Sequence, residues 1–163
     1  MAKRVVVIMG SKSDRVTGEA IKATLHQFGI PCALRIASAH KSPGHLLTML
    51  EEYEASGEVG AYITVAGRSN ALSGLVDAQV AAPVIACPPL SEPFAAQDVF
   101  SSLRMPSGVC PAVVLEPANA ALLAAKMLGV ADPVLRQAVQ EHQARMREGV
   151  VKDDEALQRE KRS

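Results

Sequence analysis

Five short apolar runs, none of them alternating with polar residues, constrain this chain more than anything else in it. They are Val5–Met9, Pro31–Ala37, Ala61–Ala66, Pro83–Cys87 and Ala112–Leu115. A run apolar on both faces reads as a strand covered on both sides, the pattern of parallel rather than antiparallel sheets. Between the runs the apolar period changes to that of helices. Ile21, Leu25 and Phe28 precede Gly29; Leu46, Leu47, Leu50 and Tyr53 close near Gly57; Leu72, Leu75, Val76 and Val80 follow the third run. Strand–helix alternation of this kind predicts a three-layer αβα sandwich around a parallel five-stranded sheet of flavodoxin-like order.

The remainder predicts one domain and an appendage. Leu90 to Val109 is punctuated by Ser and Pro, with a short helix over 97–100. Pro117 opens an Ala-rich helix to Gly129, and Asp132-Pro133 reads as N-cap and first-turn proline of a last helix ending about Arg147. No strand follows that helix, so its apolar positions (Val134, Leu135, Ala138, Val139, Met146) are expected to cover a neighbouring subunit. Charged residues dominate from Val151 onward, which predicts a solvated or frayed tail. The division is thus a single domain over 1–150, including the oligomerisation helix, and a tail over 151–163.

Composition excludes several function classes. Seventeen basic and seventeen acidic residues cancel, so nothing favours a polyanion or a membrane surface. With no Trp, three Phe and two Tyr, the chain lacks a base-stacking platform for single-stranded nucleic acid. No apolar run approaches a membrane span. Three dispersed cysteines without metal-ligand spacing fit a reducing compartment, and the start runs directly through Lys3-Arg4 into a strand, so a cytoplasmic protein is expected.

Chemistry concentrates where the runs end. Ser38-Ala39-His40-Lys41 lies between a strand and a helix opened by Ser42-Pro43, at the sheet edge where open α/β proteins bind ligands. Ser38 and Lys41 suit an anion such as phosphate, and His40 can move a proton near neutral pH. His26, His45 and His142 fall inside predicted helices, and His40 and His45 are wrongly spaced for a metal pair, so no metal site is expected. Gly10-Ser11-Lys12-Ser13-Asp14 offers a flexible glycine, hydroxyls and helix-terminal N–H groups to an anion. Ser11 and Asp14 are equally at capping-box spacing. Gly67-Arg68-Ser69-Asn70 can hold a small polar group or simply cap a helix. Cys87-Pro88-Pro89-Leu90 reads as a rigid turn rather than a nucleophile, and Ser101 to Gly108 as a loop with one cation, Arg104, able to close over a ligand. Residue chemistry alone leaves binding and capping open at each of these turns.

Taken together and in order, Gly-Ser-Lys-Ser-Asp at 10–14, Ser-Ala-His-Lys at 38–41, Ala-Gly-Arg-Ser-Asn at 66–70, Cys-Pro-Pro-Leu at 87–90 and Ser-Ser-Leu-Arg-Met-Pro-Ser-Gly at 101–108 resemble the aminoimidazole ribonucleotide carboxylase family of purine biosynthesis. The likeness covers about residues 4–129. It implies the same three-layer fold, a ribonucleotide substrate, no cofactor and no metal, and a homo-oligomer, usually an octamer. Bacterial mutases of the family, which move a carboxylate from the exocyclic nitrogen of N5-carboxyaminoimidazole ribonucleotide to C4, usually carry Ala-Gly-Gly-Ala-Ala-His-Leu-Pro-Gly-Met after the third strand, and an Arg after the catalytic histidine. Here that segment is Ala66-Gly67-Arg68-Ser69-Asn70-Ala71-Leu72-Ser73-Gly74, and Lys41 follows His40. Both departures resemble the second class, which joins aminoimidazole ribonucleotide directly to CO2, although Ala71 stands where that class more commonly has Gly.

The resemblance implies that His40 removes the C4 proton. It implies substrate binding by Gly10, Ser11, Ser13, Asp14, Ser38, Ala39, Lys41, Ala66 and Gly67, with Lys41 near the phosphate. It implies a CO2 or carboxylate pocket lined by Gly67, Arg68, Ser69 and Asn70. The mutase is the nearer alternative. A flavin carrier or a receiver domain is the different-class one; the strand exits lack aromatics for a flavin, and Met9-Gly10 and Ala66-Gly67 stand where a receiver needs acids.

Overall fold

The computed structural model describes residues 3–90 and 92–160; parts of the expected domain and tail at 1, 2, 91 and 161–163 lie outside the described residues. Five strands, β1 (Arg4–Met9), β2 (Cys32–Ile36), β3 (Val59–Val65), β4 (Val84–Ala86) and β5 (Ala112–Val113), form one parallel sheet in the order β2-β1-β3-β4-β5. The helices are α1 (Arg15–Gln27), α2 (Pro43–Ser56), α3 (Ala71–Asp77), α4 (Phe100–Leu103), α5 (Pro117–Leu128) and α6 (Pro133–Glu160).

The unalternating strands feed two cores. In β1, Val5, Val7 and Met9 face one side with Ile21 and Leu25 of α1 and the alanines Ala120, Ala121, Ala124 and Ala125 of α5. Val6 and Ile8 face the other side with Leu46, Met49 and Leu50 of α2, Tyr62 of β3, and Leu72 and Val76 of α3. Small residues on α5 let it lie close beside α1 and the sheet. Each buried aliphatic side chain contributes about 1.5–3 kcal/mol relative to exposure, so both layers are needed in a core with so few rings.

Several boundaries differ from the sequence expectation. β3 begins two residues before Ala61, at Val59, and β5 is reduced to Ala112–Val113 at the sheet edge. α3 stops at Asp77, leaving Val80 beyond it. Residues 97–100 divide between a 3-10 turn (Gln97–Val99) and the start of α4. The largest difference is α6, which runs unbroken to Glu160 rather than ending near Arg147. Residues 151–160 are exposed, as expected of a charged tail, yet helical. Charge predicts solvation, but Glu, Lys, Arg, Ala and Leu are also strong helix formers, and Arg159 pairs with Glu155 one turn away. Nor do all the expected α6 positions wait for a partner: Leu135 and Val139 are buried in this chain's own core, whereas Val134 and Met146 are exposed. Among the described residues no helix is long and apolar enough to cross a membrane.

Candidate active site

From β1 the chain moves outward to β2, then returns past β1 to β3 and continues to β4 and β5. The reversal makes a topological switch point between β1 and β3, where neighbouring loops diverge and leave a crevice at the carboxyl edge. Adjacent strands lie about 4.8 Å apart, so the turns after β2, β1 and β3 stand in a row. Backbone bonds tie the row together: Ala37 N–H donates to Met9 O (2.9 Å) and Gly10 N–H to Val65 O (2.9 Å). Gly10 lies beside the neighbouring exits: a Cβ there would make ordinary contacts, 3.4 Å from Ala66 Cβ and 3.6 Å from Asp14 Oδ2.

In the turn after β1, Ser11 N–H and Ser11 Oγ both donate to Asp14 Oδ2, at 2.9 and 3.0 Å. Ser11 Oγ is also 2.6 Å from Ser13 Oγ. The capping spacing is therefore used, in a 3-10 turn (Lys12–Asp14) ahead of α1, and it leaves the exposed Ser13 hydroxyl and Lys12 facing solvent.

The turn after β2 is closed by its own serines. Ser42 precedes α2, but its hydroxyl reaches back instead of capping: Ser38 N–H donates to Ser42 Oγ (3.0 Å) and Ser42 N–H to Ser38 O (2.9 Å). The expected N-cap is thus a clasp on the strand exit. Pro43 has no N–H to satisfy, which lowers the demand for a cap at that end. Lys41 N–H donates to Ser38 Oγ (3.1 Å), which leaves that hydroxyl its own proton to donate. His40 and Lys41 are exposed at the tip, while Ala39 is half-buried.

The turn after β3 is the most constrained. A Cβ on Gly67 would lie 2.9 Å from Pro89 O, so only glycine lets the exits of β3 and β4 approach this closely. Arg68 adopts φ 57°. Asn70 is 4% exposed; its Oδ1 accepts from Ser73 N–H (3.2 Å), capping α3, and its Nδ2 donates to Ser102 Oγ (2.8 Å). The helix-cap reading of Asn70 is therefore realised, and one amide hydrogen remains for any further use. Ser69 and Arg68 are exposed and line a cavity of about 720 Å³ with Asp98, Phe94 and Arg104. Ser69 also borders a second cavity, of about 330 Å³, beside Met105.

Sequence reasoning missed Asp98 as part of this edge, and read Ser42 there only as a helix cap. Asp98 meets Arg68 across thirty positions, and no local spacing signals such a contact. A larger cavity, about 920 Å³, is elsewhere, at the opposite end of the sheet beside Lys3, Tyr53, Leu128 and Val134. It holds none of the hydroxyls or the imidazole of the strand exits, so its size does not make it the reactive centre. Cys87 is fully buried, and burial foremost, with Glu116 adding, pushes its thiol up to about 12. It stays protonated at neutral pH and is a poor nucleophile there, in agreement with a rigid-turn role.

A parallel sheet with hydroxyls, an imidazole and an ammonium along its switch-point edge defines a flavodoxin-like α/β protein with its candidate site at that edge. Residues 4–149 match the model of the family described as AIR carboxylase, and the chain belongs to that family. A phosphoribosylaminoimidazole carboxylase of Treponema denticola is 49% identical over 159 residues, covering 98% of this chain and 100% of that one. One from Archaeoglobus fulgidus is 50% identical over 154 residues, 94% of this chain and 84% of the relative. The crystal structure of Treponema denticola PurE superposes with a TM-score of 0.93 at 49% identity, covering 95% and 98% of the two chains. The fold expected from the five apolar runs, and the family expected from the motifs, are those found.

Proposed function

We propose that this enzyme carboxylates 5-aminoimidazole ribonucleotide at C4 with CO2, giving 4-carboxy-5-aminoimidazole ribonucleotide for purine biosynthesis. The observation that carries the reading is about 50% identity, over nearly the whole chain, to relatives named phosphoribosylaminoimidazole carboxylase. The absence of a mutase-like histidine at Ala71 supports CO2 as the direct co-substrate.

The chemistry needs little beyond positioning. The ring is an electron-rich enamine, so the electron pair at C4 attacks the carbon of CO2 and forms the C–C bond while one oxygen takes the negative charge. C4 is then tetrahedral and still bears its hydrogen; its removal as a proton returns the C–H pair to the ring and restores aromaticity. His40 takes that proton, an effect typically worth 10²–10⁴-fold. Ser38, with its hydroxyl proton uncommitted by Lys41 N–H, Ser11, Ser13 and Asp14 bind the ribose phosphate portion, and Lys41 lies near the phosphate. Gly10, Ala39 and Ala66 give the nucleotide close access to the backbone. Gly67, Arg68, Ser69 and Asn70 line the carboxyl pocket, where N–H and O–H donors stabilise the developing carboxylate. Holding two substrates in register converts an encounter of separate molecules into a step within one complex. We further propose a homo-oligomer, an octamer by family resemblance, working in the cytoplasm.

The test supplies each substrate separately and follows formation of the carboxylated ribonucleotide. The expected result is a rate that rises with dissolved CO2 and little use of the N-carboxylated nucleotide. Efficient conversion of that nucleotide without added CO2 would make the protein a mutase.

A further inference from the structure

Arg68 carries a side chain in the left-handed region, at φ 57°, a conformation unfavourable for a non-glycine residue. Such a residue persists only where its surroundings over-determine it. Here they do. Arg68 N–H donates to Asp98 Oδ2 (2.9 Å), and Arg68 O accepts from Ser101 Oγ (2.9 Å). Two positions on, Asn70 N–H donates to Ser101 Oγ (3.0 Å) and Asn70 Nδ2 to Ser102 Oγ (2.8 Å). Both backbone groups of the strained residue are thus taken up by one short segment, 98–102. That segment is itself aimed by two further left-handed residues, Ala95 (φ 46°) and Ala96 (φ 62°). The other oxygen, Asp98 Oδ1, is buried without a hydrogen-bond partner among the described residues. A carboxylate so placed costs free energy, which is consistent with a role the fold alone does not require.

We infer that Asp98, assisted by Ser101, is a positioning residue for the carboxyl-transfer step: it clasps the turn after β3 so that Ser69 and the neighbouring N–H groups face the reacting carboxyl group. This rests on the reading of residues 67–70 as the carboxyl pocket. A charge-assisted bond from Arg68 N–H supplies the directional hold, stronger than a neutral pair. Asp98 touches neither the nucleotide nor the carboxyl group in this scheme; it acts through Arg68 and Ser69.

The full-length Asp98→Ala and Asp98→Asn variants test it in the decarboxylating direction, which does not depend on the forward carboxyl donor. Asp98→Ala is expected to lower kcat by about tenfold or more, to leave the nucleotide KM within about twofold, and to speed amide exchange at 67–70 but not in β1 or β3. Asp98→Asn, whose amide oxygen still accepts from Arg68 N–H, is expected to restore most of kcat. Wild-type kcat in Asp98→Ala, no recovery in Asp98→Asn, or exchange rising equally throughout the sheet would each overturn the inference. If Asp98→Ala behaves as expected while Ser69→Ala turns over like wild type, the clasp stands and the pocket assignment falls. If the wild-type chain does not turn over the nucleotide, the proposed function falls and exchange at 67–70 alone decides: unchanged exchange in Asp98→Ala overturns the clasp.

Discussion

His40 occupies the tip of a turn in which Ser38, Lys41 and Ser42 are bound to one another. Ser38 and Ser42 hold the two ends together and Lys41 N–H rests on Ser38 Oγ, so the imidazole is presented rather than packed. A side chain used this way can be changed without unfolding the turn. His40→Asn is expected to fold, to bind the nucleotide with a KM near that of wild type, and to lose about 10²–10⁴-fold in kcat; near-wild-type turnover would assign proton removal elsewhere. Cysteines give a second residue-level outcome. Burial raises the Cys87 thiol from 9.0 to about 12 and the Cys32 thiol to about 11, the latter opposed by Lys22. The unfolded chain ionises both thiols above about pH 9, whereas the folded chain keeps them neutral until pH 11–12. Their contribution to stability is therefore complete below about pH 9 and is lost as pH rises through the folded values. Urea midpoints measured from pH 8 to 11 should fall more steeply in wild type than in a Cys32→Ala, Cys87→Ala protein; equal slopes would show that these thiols are not involved. In the native protein at pH 8, a thiol-alkylating reagent should modify the exposed Cys110 and spare the other two.

At the scale of elements, the strands were legible because burial on both faces leaves an unbroken apolar record, and the helices because their partners recur at helical spacing. What could not be read were consequences of contact. Whether Ser42 caps α2 or ties back to Ser38 depends on how the chain turns after β2. Asp98 reads only as part of a short helix until the fold sets it against Arg68. β5, an edge strand paired only with β4, is shorter than its four-residue apolar run; Val114 N–H still reaches Ala86 O before the chain leaves the sheet. The end of α6 was misjudged for a different reason, since charge content separates buried from solvated chain and says little about helix from coil. The strand-exit motifs placed the candidate site on one edge, but not the use to which each polar atom is put. Asn70 was open between a cap and a ligand donor, and three of its polar groups proved to be engaged within the fold.

The whole molecule leaves α6 unresolved as a single chain. Of its 28 residues only Leu135 and Val139 are buried, anchored further by the edge-on contact of Phe28 with His142 (5.3 Å). Beyond that contact, Met146, Val150 and Leu157 continue the face of Val139 at helical spacing, yet are 62%, 69% and 49% exposed. An apolar stripe along an otherwise charged helix calls for cover, and the described residues of this chain do not supply it. The strand exits are equally open, with His40, Lys41 and Ser69 all exposed. A second copy of the chain, as in the proposed oligomer, would answer the first need. Removing the helix from its start would take Leu135 and Val139 from the core, so loss of assembly would be confounded with loss of fold. Truncation after Ala144 retains both anchors and His142 while deleting the exposed stripe. That variant is expected to keep the wild-type far-UV spectrum, corrected for the lost helix, and to show a smaller mass by light scattering than the full-length protein. An undiminished oligomer after this truncation would mean that the stripe is not the assembly surface and that subunits associate through another face.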